Sequence, residues 1–218
     1  MRLTANIERR KTTEEHIRFI MREVTHRAKN LLAVIQSIAK QTASRSASLH
    51  DFEDLFQGRL RGLAASIDLL VQESWQGAAI RDIVRSQLAH YRDEIGGQIT
   101  MTGPDVFLSP EATQNIGFAL HELATNASKY GALSSPQGRV EVRWSIDPAG
   151  SEPRRFRLAW IERHGPRVEP PRRKGFGHVV LGRIAAHGLN GKATFEFAPE
   201  GISWILEVPA SHVRERAA

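Results

Sequence analysis

The sequence predicts a helical hairpin followed by an α+β layered domain, in a chain of 218 residues. Three observations lead to this fold class. Apolar residues follow helical spacing through residues 10–43 and again through residues 52–75. After residue 78 the pattern changes to short alternating segments, which are typical of strands. Segments with helical periodicity separate those strands, so we expect helices layered against a sheet.

Two amphipathic stripes predict the hairpin. The first repeats with three-four alternation and no Pro or Gly interrupts it, so one long helix is expected. The second ends near Trp75 and Gly77, because Gly commonly terminates helices. A lone hairpin buries its stripe poorly, so two hairpins should pair as a four-helix bundle in a homodimer. The alternative is a monomer in which the second domain folds back and covers the stripe. The stripe residues are Ile17, Ile20, Met21, Val24, Ala28, Leu31, Ile35 and Ile38, then Phe52, Phe56, Leu60, Leu63, Ile67, Leu70 and Val71.

The second part of the chain reads as alternating helices and strands, with a connector over residues 104–110. The expected helices span residues 80–91, 114–133 and 176–187, and the expected strands span residues 98–103, 139–144, 156–161, 192–197 and 202–208. The chain is thereby divided into a hairpin domain over residues 1–76, a second domain over residues 77–212 and a tail over residues 213–218.

Composition excludes several classes of protein. The 30 Lys and Arg against 24 Asp and Glu give a net charge of +6, but the positive charge is scattered and no nucleic-acid-binding motif accompanies it. We therefore expect no nucleic-acid partner. The absence of cysteine excludes disulfides and Cys-ligated metals. No apolar run approaches the roughly 18 residues of a membrane span, and no secretory signal opens the chain, so a cytoplasmic location is expected.

The most informative stretch is His121 to Tyr130, within the helix expected over residues 114–133. Glu122, Asn126 and Lys129 follow at i, i+4 and i+7, so they project from one face. A carboxylate can accept a proton, an amide oxygen suits Mg²⁺, and an ammonium suits phosphate. These groups together can hold a magnesium nucleotide. The alternative is an ordinary solvated polar face.

Four short motifs, in this order, resemble the HWE group of bacterial sensor histidine kinases. The likeness runs from about residue 11 to about residue 209. It implies a dimerisation and phosphoacceptor hairpin followed by a catalytic ATP-binding domain, an α/β sandwich of the GHKL type. The motifs are Thr25-His26-Arg27-Ala28-Lys29-Asn30, the run from His121 to Leu133, Trp160-Ile161-Glu162, and Gly175-Phe176-Gly177.

His26 matches the phosphoacceptor of these kinases. It lies two residues after Val24, a position expected in the core, and so about 200° around the helix, facing solvent. Its imidazole is largely neutral near pH 7, which leaves a ring nitrogen free to attack phosphorus. Without the other motifs, an ordinary exposed histidine would be the preferred explanation.

The resemblance also implies the nucleotide site, with ATP and Mg²⁺ as ligands. Glu122 matches the catalytic acidic position, Asn126 the Mg²⁺ ligand and Lys129 a phosphate-binding position. Glu162 matches the carboxylate that recognises the adenine amine, with Trp160 supporting it, although plain core packing would also explain Trp160. The full set of ATP-binding positions is His121, Asn126, Lys129, Tyr130, Trp160, Glu162, Gly165, Gly175 and Gly177.

Two positions depart from patterns that are common among histidine kinases. The family's glycine pair after Trp-x-Glu is His164-Gly165 here, so one glycine is lost, and a histidine there could narrow the pocket or stack on the base. Arg27 follows His26, where many other histidine kinases have an acid. The HWE relatives share this arginine, which leaves the general base unassigned.

The leading prediction is a histidine autokinase that passes phosphate to an aspartate of a response-regulator receiver domain. Its signal would come from a sensor domain or a sensory partner outside this chain. One alternative is a histidine phosphotransfer protein on the same scaffold, which would not need the ATP-site residues. Another is a serine kinase of the anti-sigma type, which lacks the helical hairpin.

Overall fold

A computed structural model describes residues 21–22, 24–25, 28–29, 31–44, 46–91, 97–168 and 180–215. The chain divides into two compact units, residues 1–56 and residues 57–218. This division lies within a helix rather than at residue 76, so the domain boundaries expected from the sequence remain a prediction.

The first unit contains helix α1, residues 31–43, and the described residues between 21 and 29 are helical as well. Ile38 and Thr42 of α1 are fully buried. Val24, expected in the core, is instead 54% exposed, and Met21 and Leu32 are exposed to similar degrees. Part of the predicted apolar stripe therefore lies at the surface of the single chain.

Helix α2, Leu49–Gln72, begins in the first unit and ends in the second. The sequence placed its end at residue 75. It ends earlier because Ser74 and Trp75 adopt left-handed backbone conformations, with φ of 51° and 61°. The Trp75 amide then donates to the Leu70 carbonyl and closes the helix.

A five-stranded sheet forms the centre of the second unit, with strand order β2-β4-β5-β7-β6. Strands β2 and β4 are parallel and the remaining neighbours are antiparallel. Buried side chains alternate with more accessible ones along β4, β5 and β7, which explains why the alternating sequence pattern predicted these strands. The strands are β2 Ile99–Thr102, β4 Arg139–Ile146, β5 Arg155–Arg163, β6 Lys192–Ala198 and β7 Gly201–Pro209.

Three helical segments pack in one core with the inward face of this sheet: α3, Ile80–Gln87, α4, Pro110–Lys129, and the π-helical segment Val180–His187. The Trp204 indole on β7 donates to the Leu181 carbonyl at 3.3 Å and ties the last segment to the sheet. The layered α/β architecture expected from the sequence is confirmed.

A second, three-stranded sheet was not expected. Its strands are β1, Ala78–Ala79, β3, Val106–Leu108, and β8, Val213–Glu215, in the order β1-β3-β8. Strand β3 lies in the predicted connector and β8 in the predicted tail. Each has only two or three residues, which is too short to show a periodicity. Of the helices in the described part of the chain, none combines the length and apolar character that crossing a membrane requires.

Candidate active site

Helix α4 carries the three polar residues that the sequence singled out. Its start is fixed by Ser109, whose side chain accepts from the Ala112 amide at 3.2 Å, and by Pro110 in the first turn. Along its last turns, Glu122 is 5% exposed, Asn126 is half-buried and Lys129 is exposed. Glu122 is therefore buried, and the alternative of an ordinary solvated polar face is wrong for this residue.

Glu122 pairs with an arginine that sequence reasoning missed. The Arg59 Nε on α2 donates to Glu122 Oε1 at 3.0 Å, and both side chains are almost fully buried. Burial raises the pKa of Glu122, while the charge and hydrogen bond of Arg59, and more weakly the charge of Lys129, oppose that rise. The partners are 63 residues apart in the chain, so no local pattern could reveal the pair.

Glu162 lies near the end of β5 and is 4% exposed. Its Oε1 accepts from the Trp160 indole at 3.0 Å, and its Oε2 accepts from the Ala132 backbone amide at 2.8 Å. Burial raises the pKa of this carboxyl, and the two hydrogen bonds partly offset the rise. Trp160 thus touches Glu162 directly, in addition to packing in the core.

The contact between Glu162 and the chain after α4 requires a glycine. A Cβ on Gly131 would lie 2.1 Å from Glu162 Oε2, far inside contact distance. Gly165 also lies against this turn, since a Cβ there would lie 2.7 Å from the Ala132 Cα. The structure thereby brings the motif from His121 to Leu133 together with Trp160, Glu162 and Gly165.

Asn126, Lys129 and Tyr130 are available to a ligand at the end of α4. Among the described residues, no group hydrogen-bonds to the side-chain amide of Asn126, and the Lys129 ammonium forms no close salt bridge. Tyr130 is 75% exposed. An uncommitted side-chain amide oxygen can supply one ligand to Mg²⁺, and an exposed ammonium can pair with phosphate, so these residues fit a magnesium nucleotide.

His121 faces α2 instead. A Cβ added to Gly62 would lie 2.3 Å from the His121 Cγ, so the imidazole packs on the bare backbone of that glycine. The ring is half-buried. The structure therefore places His121 in the contact between α2 and α4, and its role at ATP remains a prediction.

His164 occupies a glycine-like backbone conformation. Its φ is 58°, in the left-handed region that glycine adopts readily and other residues adopt at a cost. The position at which the family has a glycine thus keeps a backbone conformation that favours glycine, although a histidine stands there. The side chain is exposed.

Three of the predicted site residues lie outside the described residues: the phosphoacceptor candidate His26, and Gly175 and Gly177.

Comparison with known proteins identifies relatives over nearly the whole chain. Residues 23–105 match the family model described as HWE histidine kinase. Blue-light-activated histidine kinases of Brucella anthropi and Brucella ovis are both 37% identical to this chain over 200 residues, which is 92% of this chain. The matched region is 40% and 41% of those proteins, so the chain spans about two fifths of their length.

A solved structure shares the fold. The histidine kinase domain of a blue-light-activated histidine kinase from Erythrobacter litoralis superimposes with a TM-score of 0.57 at 18% identity. The match covers 83% of this chain and 84% of that domain. The predicted fold class, a helical part followed by an α/β domain of the histidine kinase type, is thereby confirmed. The motif order and the family model agree: residues 23–105 match the HWE histidine kinase family, and the relatives that align with 92% of the chain are histidine kinases.

Proposed function

We propose that this chain is a kinase core that autophosphorylates His26 from ATP and then passes the phosphoryl group to an aspartate of a response-regulator receiver domain. The observation that carries the proposal is the hydrogen bond from the Ala132 amide to Glu162 Oε2 at 2.8 Å. It joins the end of the Asn126 helix to the end of the Trp-x-Glu strand. Two motifs that are distant in sequence thus meet at one site.

Each residue has a distinct task in this proposal. Bound Mg-ATP supplies the γ-phosphoryl group. Asn126 offers an amide oxygen to Mg²⁺, and Lys129 offers its ammonium to phosphate. Each oxygen of Glu162 accepts one protein hydrogen bond and keeps a second lone pair, which can accept the exocyclic amine of adenine. Guanine has a carbonyl oxygen at that ring position, which cannot donate to a carboxylate, so Glu162 favours ATP over GTP.

The proposal extends to assembly and control. We infer a homodimer through the two-helix hairpin, because Met21, Val24 and Leu32 are more than half exposed on the single chain. ATP as phosphoryl source places the reaction in the cytoplasm. The Brucella relatives are named as blue-light-activated kinases and extend well beyond the matched region. We infer that a sensory domain or a sensory partner controls the kinase activity of this chain.

Incubation with γ-labelled ATP and Mg²⁺ tests the proposal. The chain should acquire acid-labile, base-stable label, because phosphohistidine is lost in acid and phosphoserine is not. His26→Ala should abolish labelling while ATP binding persists. His50→Ala should label normally, because His50 is an exposed histidine on α2 outside the four motifs. Asn126→Ala should label at least about tenfold more slowly, equivalent to ~1.4 kcal/mol in the barrier.

Full labelling of His26→Ala would overturn the phosphoacceptor assignment. A chain that takes up phosphate from a phosphorylated receiver domain, but never from ATP, would instead be a phosphotransfer protein.

A further inference from the structure

We propose that Arg59 is a positioning residue for the kinase reaction, whose guanidinium keeps Glu122 fixed and ionised beside the nucleotide site. The inference rests on the proposed function, in which Glu122 is the acidic residue at the nucleotide. Arg59 lies on α2, outside the four motifs. It adds to the site a residue that comes from the helix preceding the ATP-binding layers.

The contact between the two side chains is close and shielded from water. Arg59 Nε donates to Glu122 Oε1 at 3.0 Å, and the side chains are 11% and 6% exposed. A buried carboxylate without a partner is strongly disfavoured, and removing one member of such a pair leaves the other charge uncompensated. Arg59 is thus the group that makes an ionised carboxylate tenable at this position.

The charges that face Glu122 come from two helices. Arg59 approaches from α2, and Lys129 lies along α4 itself. Burial raises the pKa of Glu122, Arg59 is the larger opposing influence, and Lys129 is the smaller one. Without Arg59 the carboxyl would hold its proton to higher pH, and a protonated carboxyl cannot accept another proton or attract a cation.

The backbone around Arg59 is held firmly enough to aim its side chain. Three residues further along α2, Gly62 packs against the His121 ring, which directly precedes Glu122. The Gln87 side chain on α3 donates to the Gly62 carbonyl at 3.1 Å and to the Ser66 hydroxyl at 2.9 Å. These contacts fix the α2 segment against α3 and α4, so the guanidinium starts from a defined position.

The pH dependence of autophosphorylation separates positioning from a purely structural salt bridge. Arg59→Gln should shift the acidic limb of the rate profile to higher pH, so that its rate relative to the unmutated chain is about tenfold lower at pH 6 than at pH 8.5. Arg59→Lys retains the charge and should lie between the two. Arg61→Gln, at an exposed position on the same helix, should follow the unmutated profile.

Titration of the Glu122 carboxyl by NMR, with ¹³C-labelled glutamate assigned through Glu122→Gln, tests the inference without using kinase activity. Its midpoint should move to higher pH in Arg59→Gln. A coincident titration, or a rate loss of equal size at every pH, would overturn the inference. If Arg59→Gln does not fold, Arg59→Lys decides, and an unmoved Glu122 midpoint would overturn the role of the guanidinium.

A chain that takes no label from ATP would refute the proposed function, whereas the NMR titration would still decide whether Arg59 controls Glu122.

Discussion

Glu162 is a buried carboxylate whose two oxygens both serve protein donors, Trp160 and Ala132. Burial raises the pKa of Glu162 above its ordinary value of 4.5 in spite of these two hydrogen bonds. The hydrogen bonds therefore do not fully replace the hydration that the carboxylate loses. The site therefore holds a carboxylate at a cost in stability. A structural role alone would be met by an apolar residue, so the retained charge favours a ligand-binding role.

The pH dependence of stability should reveal this cost. Between pH 4.5 and the folded-state pKa, the folded chain holds a proton at Glu162 that the unfolded chain has lost, so each rise in pH favours unfolding. The contribution of this carboxyl is thus fully present below pH 4.5 and is lost as the pH rises through the folded-state pKa. The free energy of unfolding, relative to Glu162→Gln, should decline over this window.

Urea unfolding of both proteins at several pH values measures that difference. Glu200→Gln, at an exposed position, corrects for the change in overall charge. A difference that stays level or grows with pH would contradict the raised pKa.

His164 allows a second prediction at this scale. A left-handed conformation costs a non-glycine residue about 1–2 kcal/mol, whereas glycine adds about 0.5–1 kcal/mol of unfolded-state freedom. His164→Gly should therefore leave the free energy of unfolding unchanged or raise it by up to about 1.5 kcal/mol. Arg163→Gly, one residue earlier in β5, should lower it by about 0.5–1 kcal/mol. Equal losses in chemical denaturation would show that the His164 side chain makes a stabilising contact.

Residue identities predicted some contacts of the site and not others. Trp160 and Glu162 are two residues apart in a strand and share one face, so their contact follows from the strand period. The sequence carries no comparable signal for Arg59, because it pairs across 63 residues from a helix with many charges. Burial of Glu122 was missed for the same reason.

At the scale of elements, the packing of α2 on α4 depends on two glycines, Gly62 against His121 and Gly117 against Ser66. Gly62→Ala would put a Cβ about 2.3 Å from the His121 Cγ, and we expect it to lower the free energy of unfolding by about 1–3 kcal/mol. Gly58→Ala is the matched control, since no atom lies within 4 Å of its Cβ position on the same helix. It should gain about 0.5–1 kcal/mol from helix propensity.

Thermal or urea unfolding of the two variants gives these values. The double variant Gly62→Ala with His121→Ala should recover part of the loss, because the clash is removed. A Gly62→Ala variant as stable as Gly58→Ala would show that the two helices separate without cost.

Helix α4 shows how local and distant signals share the control of an element. It was expected over residues 114–133 and spans Pro110–Lys129. Its start follows from the local Ser109 and Pro110, which lie in the predicted connector. Its end combines a local signal, Gly131 two residues after Lys129, with a distant one, the contact between this glycine and Glu162. The strands β3 and β8 were missed because their pairing joins residues about a hundred positions apart.

At the scale of the whole molecule, the order of the four motifs along the chain predicts more than any single motif does. A Trp-x-Glu or a Gly-x-Gly is common, but four motifs in one order predicted both the family and the fold class. The apolar stripe of the hairpin, by contrast, does not show which of its residues are buried within the single chain. The sequence shows which residues are apolar in α1, and only packing decides which of them another chain must cover.

Assembly provides the last prediction. Met21, Val24 and Leu32 are 60%, 54% and 58% exposed on the single chain, which is costly unless a second hairpin covers them. Light scattering at micromolar concentration should therefore give twice the chain mass of 24.4 kDa. The substitution Val24→Asp should shift the measured mass toward that of the monomer. The substitution Arg61→Gln, at an exposed position, should leave the mass unchanged. A mixed dimer of His26→Ala with Asn126→Ala that still takes label would prove transfer between chains, because each variant lacks what the other retains. A mass near 24.4 kDa at every concentration would instead require phosphorylation within one chain.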